Sequence, residues 1–203
     1  MQIIGEQIRG ALVRVAQVAP VNEVRWLVGG SVGALLHGVP LPSPPHDLDI
    51  DTSRDGALAL ERLLQPYVIE PLSESDTPLY HDYLGNLSIN GAQVELIGDL
   101  DIKHAKFTHH FRITDALWQK RKLAEVDGLQ VGLTPLEHQL ILNVIRGRED
   151  RANLIAAFLR ECGADLEYLH QTFDSDHTPT WFREKIMGMV VRPERSIVGR
   201  DSC

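Results

Sequence analysis

The segment Asp47-Leu48-Asp49-Ile50-Asp51 constrains this chain more than any other. It alternates strictly, so it reads as a β-strand with Leu48 and Ile50 on the core face and three carboxylates on the other. Like charges two residues apart on one strand face repel. A fold keeps them where water washes them or where a cation lies between them. An all-oxygen donor set of this kind matches Mg²⁺ or Mn²⁺. An acidic strand facing water would satisfy the same pattern. An EF-hand loop would not, because its sixth and twelfth positions fall on Thr52 and Leu58 instead of Gly and Glu.

The approach to this strand carries a second signal. Val24 to Val28 is a short apolar run of strand type, broken by Gly29-Gly30-Ser31, after which Ala34, Leu35 and Leu36 continue at helical spacing. Ser31 is the expected N-cap. Strand, glycine turn and helix start together present backbone N–H groups to a phosphate. The dinucleotide fingerprint does not fit the spacing of Gly29, Gly30 and Gly33. There is no Walker lysine, and no G-x-S-x-G that would make Ser31 a nucleophile. Four prolines between Pro40 and Pro45 form a stiff loop that leads into the acidic strand.

Helices are expected at the N-terminus, through Ile3, Ile4, Ile8, Leu12 and Val15, and from about Asp55 to Gln65. Strands are expected at Tyr67–Ile69, Leu79–Leu84 and Ala92–Ile97, with Asp99 and Asp101 in a loop after Gly98. Asn90-Gly91 and Asp127-Gly128 are hairpin signals. Within the third of these strands Glu95 sits among apolar neighbours, where a carboxylate needs a partner. After Thr134, the expected N-cap, with Pro135 at the first helical position, the pattern becomes helical: through Ile145, then roughly Arg151–Glu161, Asp165–Phe173 and Thr180–Val190. The expected class is α+β, a mixed sheet flanked by helices. Residues 1–133 form the α/β domain and 134–203 a C-terminal helical region.

Composition excludes several classes. The chain has 203 residues and a formal net charge of −8, which disfavours indiscriminate binding to DNA or membranes. No apolar run approaches the length of a membrane span, and the two cysteines, Cys162 and Cys203, read as free thiols in a reducing cytoplasm. Residues 103–122 reverse the overall sign with six basic side chains against Asp115, a candidate contact for RNA, with a solvated face as the plain alternative. His104, His109 and His110 lack a ligand spacing and read as surface residues. His37 reads as packing, and His46 as a residue that could touch substrate.

The order of Leu27-Val28-Gly29-Gly30-Ser31, the helix to Gly38, His46-Asp47-Leu48-Asp49-Ile50-Asp51 and then Glu95 resembles the nucleotidyltransferase superfamily that shares the DNA polymerase β palm. It is most similar to the small bacterial branch that includes antibiotic and abortive-infection nucleotidyltransferases. The resemblance covers residues 24–97, and more loosely 133–159. It implies a polymerase β-like fold and transfer of a nucleoside monophosphate from ATP or another NTP to an acceptor hydroxyl, with release of pyrophosphate. Asp47, Asp49 and Glu95 would be the catalytic, metal-binding acids for Mg²⁺ or Mn²⁺, with Glu95 also helping to deprotonate the acceptor. Gly29, Gly30 and Ser31 would hold phosphates. Family members often carry a lysine where Asn143 stands, so Arg146 and Arg148 are the expected nucleotide-binding cations. Asp51 is expected to be a solvated strand residue, or an acid behind the metal ligands. The acceptor could be a small hydroxyl compound, a tRNA end or a protein side chain. A non-catalytic nucleotide- or partner-binding module on the same fold, and a phosphohydrolase using water, are the rival readings.

Overall fold

The computed structural model describes residues 4–104 and 106–191. Ile3 and Cys203 therefore lie outside the described residues. Helix α1 (Glu6–Val18) buries Ile8, Ala11, Leu12, Val15 and Ala16, one stripe of a 3.6-residue period. Strand β1 (Trp26–Val28), helix α2 (Gly30–His37), strand β2 (Asp47–Thr52) and helix α3 (Arg54–Leu63) follow. Then come strands β3 (Val68–Asp76), β4 (Tyr80–Ile89), β5 (Ala92–His104) and β6 (Phe107–His110), and helix α4 (Asp115–Lys120). Strands β7 (Lys122–Val126) and β8 (Leu129–Leu133) close the sheet, and helices α5 (Leu136–Ile145), α6 (Glu149–Cys162), α7 (Leu166–Ser175) and α8 (Thr180–Val190) complete the chain.

The sheet is mixed and runs β3-β4-β5-β2-β1-β8-β7, with β6 added against the far end of β5. Strand β2 lies antiparallel to β1 and parallel to β5, so the glycine turn after β1 and the residues of β5 both flank the acidic strand. Leu48 and Ile50 are fully buried beside Val94, Leu96 and the apolar stripe of α1. The helices after Leu133 share a second core built on Leu140, Ile155, Phe173, Phe182 and Ile186. The result is the α+β class with a mixed sheet that the strand and helix patterns imply.

Both hairpin signals are realised. Asn90 (φ 54°) and Gly91 (φ 80°) join β4 to β5, and Asp127 (φ 51°) and Gly128 (φ 79°) join β7 to β8. Paired positive φ angles match the right-handed twist of the strands they link.

Several local expectations are corrected. The N-cap of α2 is Gly29, not Ser31: Gly30 enters the helix with φ +52°, which leaves Ser31 inside the first turn. Likewise α5 starts at Leu136 with Pro135 as its N-cap, and the Thr134 hydroxyl is engaged elsewhere. Strand β5 does not stop at Gly98. It absorbs the irregularity at Asp99 (φ 49°) and continues to His104, so Asp99 and Asp101 lie in a strand. Antiparallel partners on both sides, the long β4 and the four-residue β6, outweigh one glycine. His109 is 1% exposed and pairs with Asp176, so it is not a surface residue. Asp101 holds His110 at 2.8 Å and Arg112 at 2.7 Å. Lys103 and Lys120 are also paired, with Asp76 and Asp165. Three of the six basic side chains of this run, Lys103, Arg112 and Lys120, are therefore ion-paired within the molecule.

Candidate active site

Parallel pairing of β2 with β5 sets Asp47 opposite Gln93, Asp49 opposite Glu95 and Asp51 opposite Ile97. Partners in register point to the same face, so Glu95 joins Asp47 and Asp49 on the face away from Leu48 and Ile50. The three line one cleft of about 440 Å³, together with Gly30 and Ser31 from the start of α2. The turn between α5 and α6 brings Arg146 and Arg148 to line the same cleft.

The glycine turn fits the acids closely. A methyl group at Gly30 would stand 1.6 Å from Asp49 Oδ2, and one at Gly29 would stand 2.2 Å from Asp51 Oδ2. Only residues without a Cβ let the turn lie on the carboxylates, and Gly30 also needs its positive φ. The Gly29 N–H donates to the Asp49 carbonyl at 3.0 Å, which ties the turn to β2.

Burial and mutual repulsion set the electrostatics. Asp49 is pushed up to about 7, first by burial and then by Asp47, Asp51 and Glu95, with Arg146 opposing. Glu95 is raised by burial and by Asp47, while Gln93 and Arg146 pull it down. Asp51 is 5% exposed, which corrects its reading as a solvated residue. Burial raises it to about 6, against the hydroxyl of Thr134, which donates to Oδ2 at 2.6 Å, and the charge of Arg146. Asp51 thus braces the glycine turn and the lead into α5 from beneath.

The donor set fits a hard divalent cation. Its atoms are all oxygen, and Asp49 and Glu95 are held above their ordinary range by burial and then by the neighbouring carboxylates. Among the described residues, no three His, Cys, Asp or Glu side chains already close around a single point. Holding an ion would require the carboxylates to turn inward.

Sequence reasoning missed Arg151. Its guanidinium donates to Ser31 Oγ at 2.8 Å and lines the cleft beside Arg148. The signal was present, since Arg148 and Arg151 are three apart at a helix start and so share a face. Tyr80 and Asp82 of β4 were also missed: the Asn90-Gly91 turn implies the pairing with β5, but not the register shift between His81 and Tyr83 at its far end. His46 lines the cleft. His37 does not, and meets the Thr134 carbonyl at 3.0 Å, where burial lowers it to about 4. Asn143 points its amide back to the Gln139 carbonyl, so it supplies no charge.

Among solved structures, the chain is similar to a Thermotoga maritima protein described as a nucleotidyltransferase, with 27% identity, 79% of this chain and 97% of that one covered, and a TM-score of 0.64. The chain is related to the nucleotidyltransferase superfamily. The antibiotic-resistance factor ANT(2″)-Ia shares the fold at 11% identity and a TM-score of 0.50 in its crystal structure with adenylyl-2″-tobramycin, covering 84% of this chain and 97% of that one. Its solution structure gives 14% identity and a TM-score of 0.52, over 83% and 92%. No family model and no protein of curated function matches the chain. No described helix is long and apolar enough to cross a membrane.

Proposed function

We propose that this protein is a metal-dependent nucleotidyltransferase. It would take a nucleoside monophosphate from an NTP, attach it to an acceptor hydroxyl and release pyrophosphate. The observation that carries this reading is the in-register pairing of Glu95 with Asp49, beneath a glycine turn that only Cβ-free residues can form, in one cleft with three arginines.

Asp47, Asp49 and Glu95 would hold Mg²⁺ or Mn²⁺, which when bound draws charge from the attacking and leaving oxygens. The chain's own groups do the rest. The backbone of Gly29 and Gly30 lets phosphate oxygens approach the N-terminus of α2. Ser31, held by Arg151, and the guanidiniums of Arg146 and Arg148 take the negative charge of the triphosphate. Glu95 accepts the proton of the acceptor hydroxyl as its oxygen bonds to the α-phosphorus. The bond from that phosphorus to the bridging oxygen breaks, and pyrophosphate leaves. Most of the rate would come from positioning and charge compensation.

The rival binding module rested on the missing lysine at Asn143. Three arginines line the cleft and can carry that charge, which removes the motive for the module and leaves pyrophosphate release to separate the two readings. The test is incubation with each α-labelled NTP, Mg²⁺ and separate pools of cellular RNA, protein and small metabolites. Label moving to an acceptor with matching pyrophosphate supports the proposal. NTP binding without pyrophosphate release would support the module, and phosphate release with water alone would support a hydrolase.

A further inference from the structure

The sheet ends in two edge strands, β3 and β7. An unpaired edge offers its N–H and C=O groups to any strand that meets it, and proteins block edges with proline, bulges and like charges. Strand β3 carries all three: Pro71, register shifts between Val68 and Ser73, and the acids Glu70, Glu74 and Asp76. Strand β7 has neither proline nor a register shift against β8, and its Lys122 reaches back to the His37 carbonyl.

The Asp127-Gly128 turn fixes which groups of β7 are free. In a two-residue hairpin the pair beside the turn, here Val126 and Leu129, exchanges both main-chain hydrogen bonds, and bonded pairs alternate from there. Ala124 and Lys122 therefore bond to β8, while the N–H and C=O groups of Leu123 and Glu125 point outward. Arg121, Leu123 and Glu125 share one side-chain face. The chain enters β7 extended at Arg121 (φ −59°, ψ 141°), and a methyl group at Gly132, the partner of Leu123, would stand 3.3 Å from Arg121 Cδ. Leu123 is 44% exposed. Arg121 donates to the Trp118 carbonyl and stacks on that ring at 4.1 Å, but it has no acid beside it among the described residues. Glu125 makes no hydrogen bond or ion pair among the described residues. Four residues apart on a strand, the two charges stand about 13 Å from each other and cannot pair within one chain.

A second, antiparallel β7 satisfies all three side chains. With the two-fold axis at Leu123, that side chain meets its own copy, and Arg121 meets the partner's Glu125. A register two residues further would set Leu123 against a glutamate and Arg121 against the turn. Self-pairing of β3 would set acid against acid.

We propose that the β7 edge joins two copies of this chain, antiparallel about Leu123, with Arg121 of each opposite Glu125 of the other, so that one sheet runs through both molecules. Opposite charges and apolar side chains directly across an antiparallel pair each favour the register. A single edge pairing buries less than about 1,000 Å², so the dimer is a weak one, with a dissociation constant of about 10–100 µM.

Sedimentation velocity of the full chain from about 2 to about 500 µM tests this, with circular dichroism to confirm each variant's fold. The wild type should pass from monomer to dimer within that range. Leu123→Lys, at an exposed side chain, should stay monomeric. Glu125→Arg sets two arginines against each other at both ends and should weaken association at least about tenfold, and Arg121→Glu should do the same with two acids. The chain carrying both exchanges should return to within about threefold of the wild type. If an Arg121 variant fails to fold, Leu123→Lys and Glu125→Arg decide alone. A wild type that stays monomeric at the highest concentration, a dimer that survives Leu123→Lys and Glu125→Arg, or a folded double exchange that does not recover association overturns the proposal.

Discussion

Replacing Asp49 with asparagine should make the metal-free protein more stable while removing its proposed activity. In the folded chain Asp49 is held at about 7, against an ordinary value of 3.8, by burial and by the carboxylates of Asp47, Asp51 and Glu95. An acid raised on folding opposes folding wherever it is ionised. The penalty is absent below pH 4, where both states are protonated. It grows between pH 4 and 7 and is constant above that. At about 1.36 kcal/mol per pH unit, the displacement is worth about 4 kcal/mol at pH 8. Asparagine removes the charge but brings an amide whose unmet hydrogen bonds cost about 1–3 kcal/mol. The net gain expected at pH 8 is about 1–3 kcal/mol, against a loss of about 1–3 kcal/mol at pH 4, where only the amide cost remains. Denaturant unfolding in EDTA at pH 4, 6 and 8 measures it. Added Mg²⁺ should then stabilise the wild type and not the variant. A variant that is destabilised at pH 8, or a difference that does not change with pH, would refute the electrostatic account of this strand.

Other substitutions probe the surroundings. Gly30→Ala should cost about 1–3 kcal/mol from its left-handed backbone alone, and should lower transfer about a hundredfold by displacing Asp49, read by unfolding and steady-state rates. Thr134→Val removes the hydroxyl that lowers the Asp51 pKa, so it should destabilise by about 1–3 kcal/mol at pH 8 and by less at pH 5, where Asp51 is protonated. Arg151→Met should raise KM for NTP about tenfold with kcat little changed, and Arg151→Lys should restore part of it. An unchanged KM in the methionine variant would remove Arg151 from the phosphate site.

The alternation of Asp47 to Asp51, the Gly29-Gly30 break and the solitary Glu95 were legible because each is written in local periodicity. The two hairpins were legible because Asn-Gly and Asp-Gly select their turn type. The extent of β5 was not. Its outer half is held by β4 and β6, and long-range pairing decides what Gly98 leaves open. The burial of Asp51 was hidden for a similar reason. Period 2 gives its face, but only the arrival of Thr134 after β8 shows that this end of the face is covered. Arg151 and Asp82 belong to elements whose contribution to the cleft depends on tertiary packing. The positive charge of residues 103–122 was visible, but two of the three acids that pair with it, Asp76 and Asp165, lie far along the chain, and only Asp101 is near.

Glu95 carries the proposed reaction. Pyrophosphate release from NTP by the wild type should require Mg²⁺ or Mn²⁺, and Glu95→Gln should lower it at least about a hundredfold with NTP affinity retained. Release that persists in Glu95→Gln, or proceeds equally in EDTA, would contradict it.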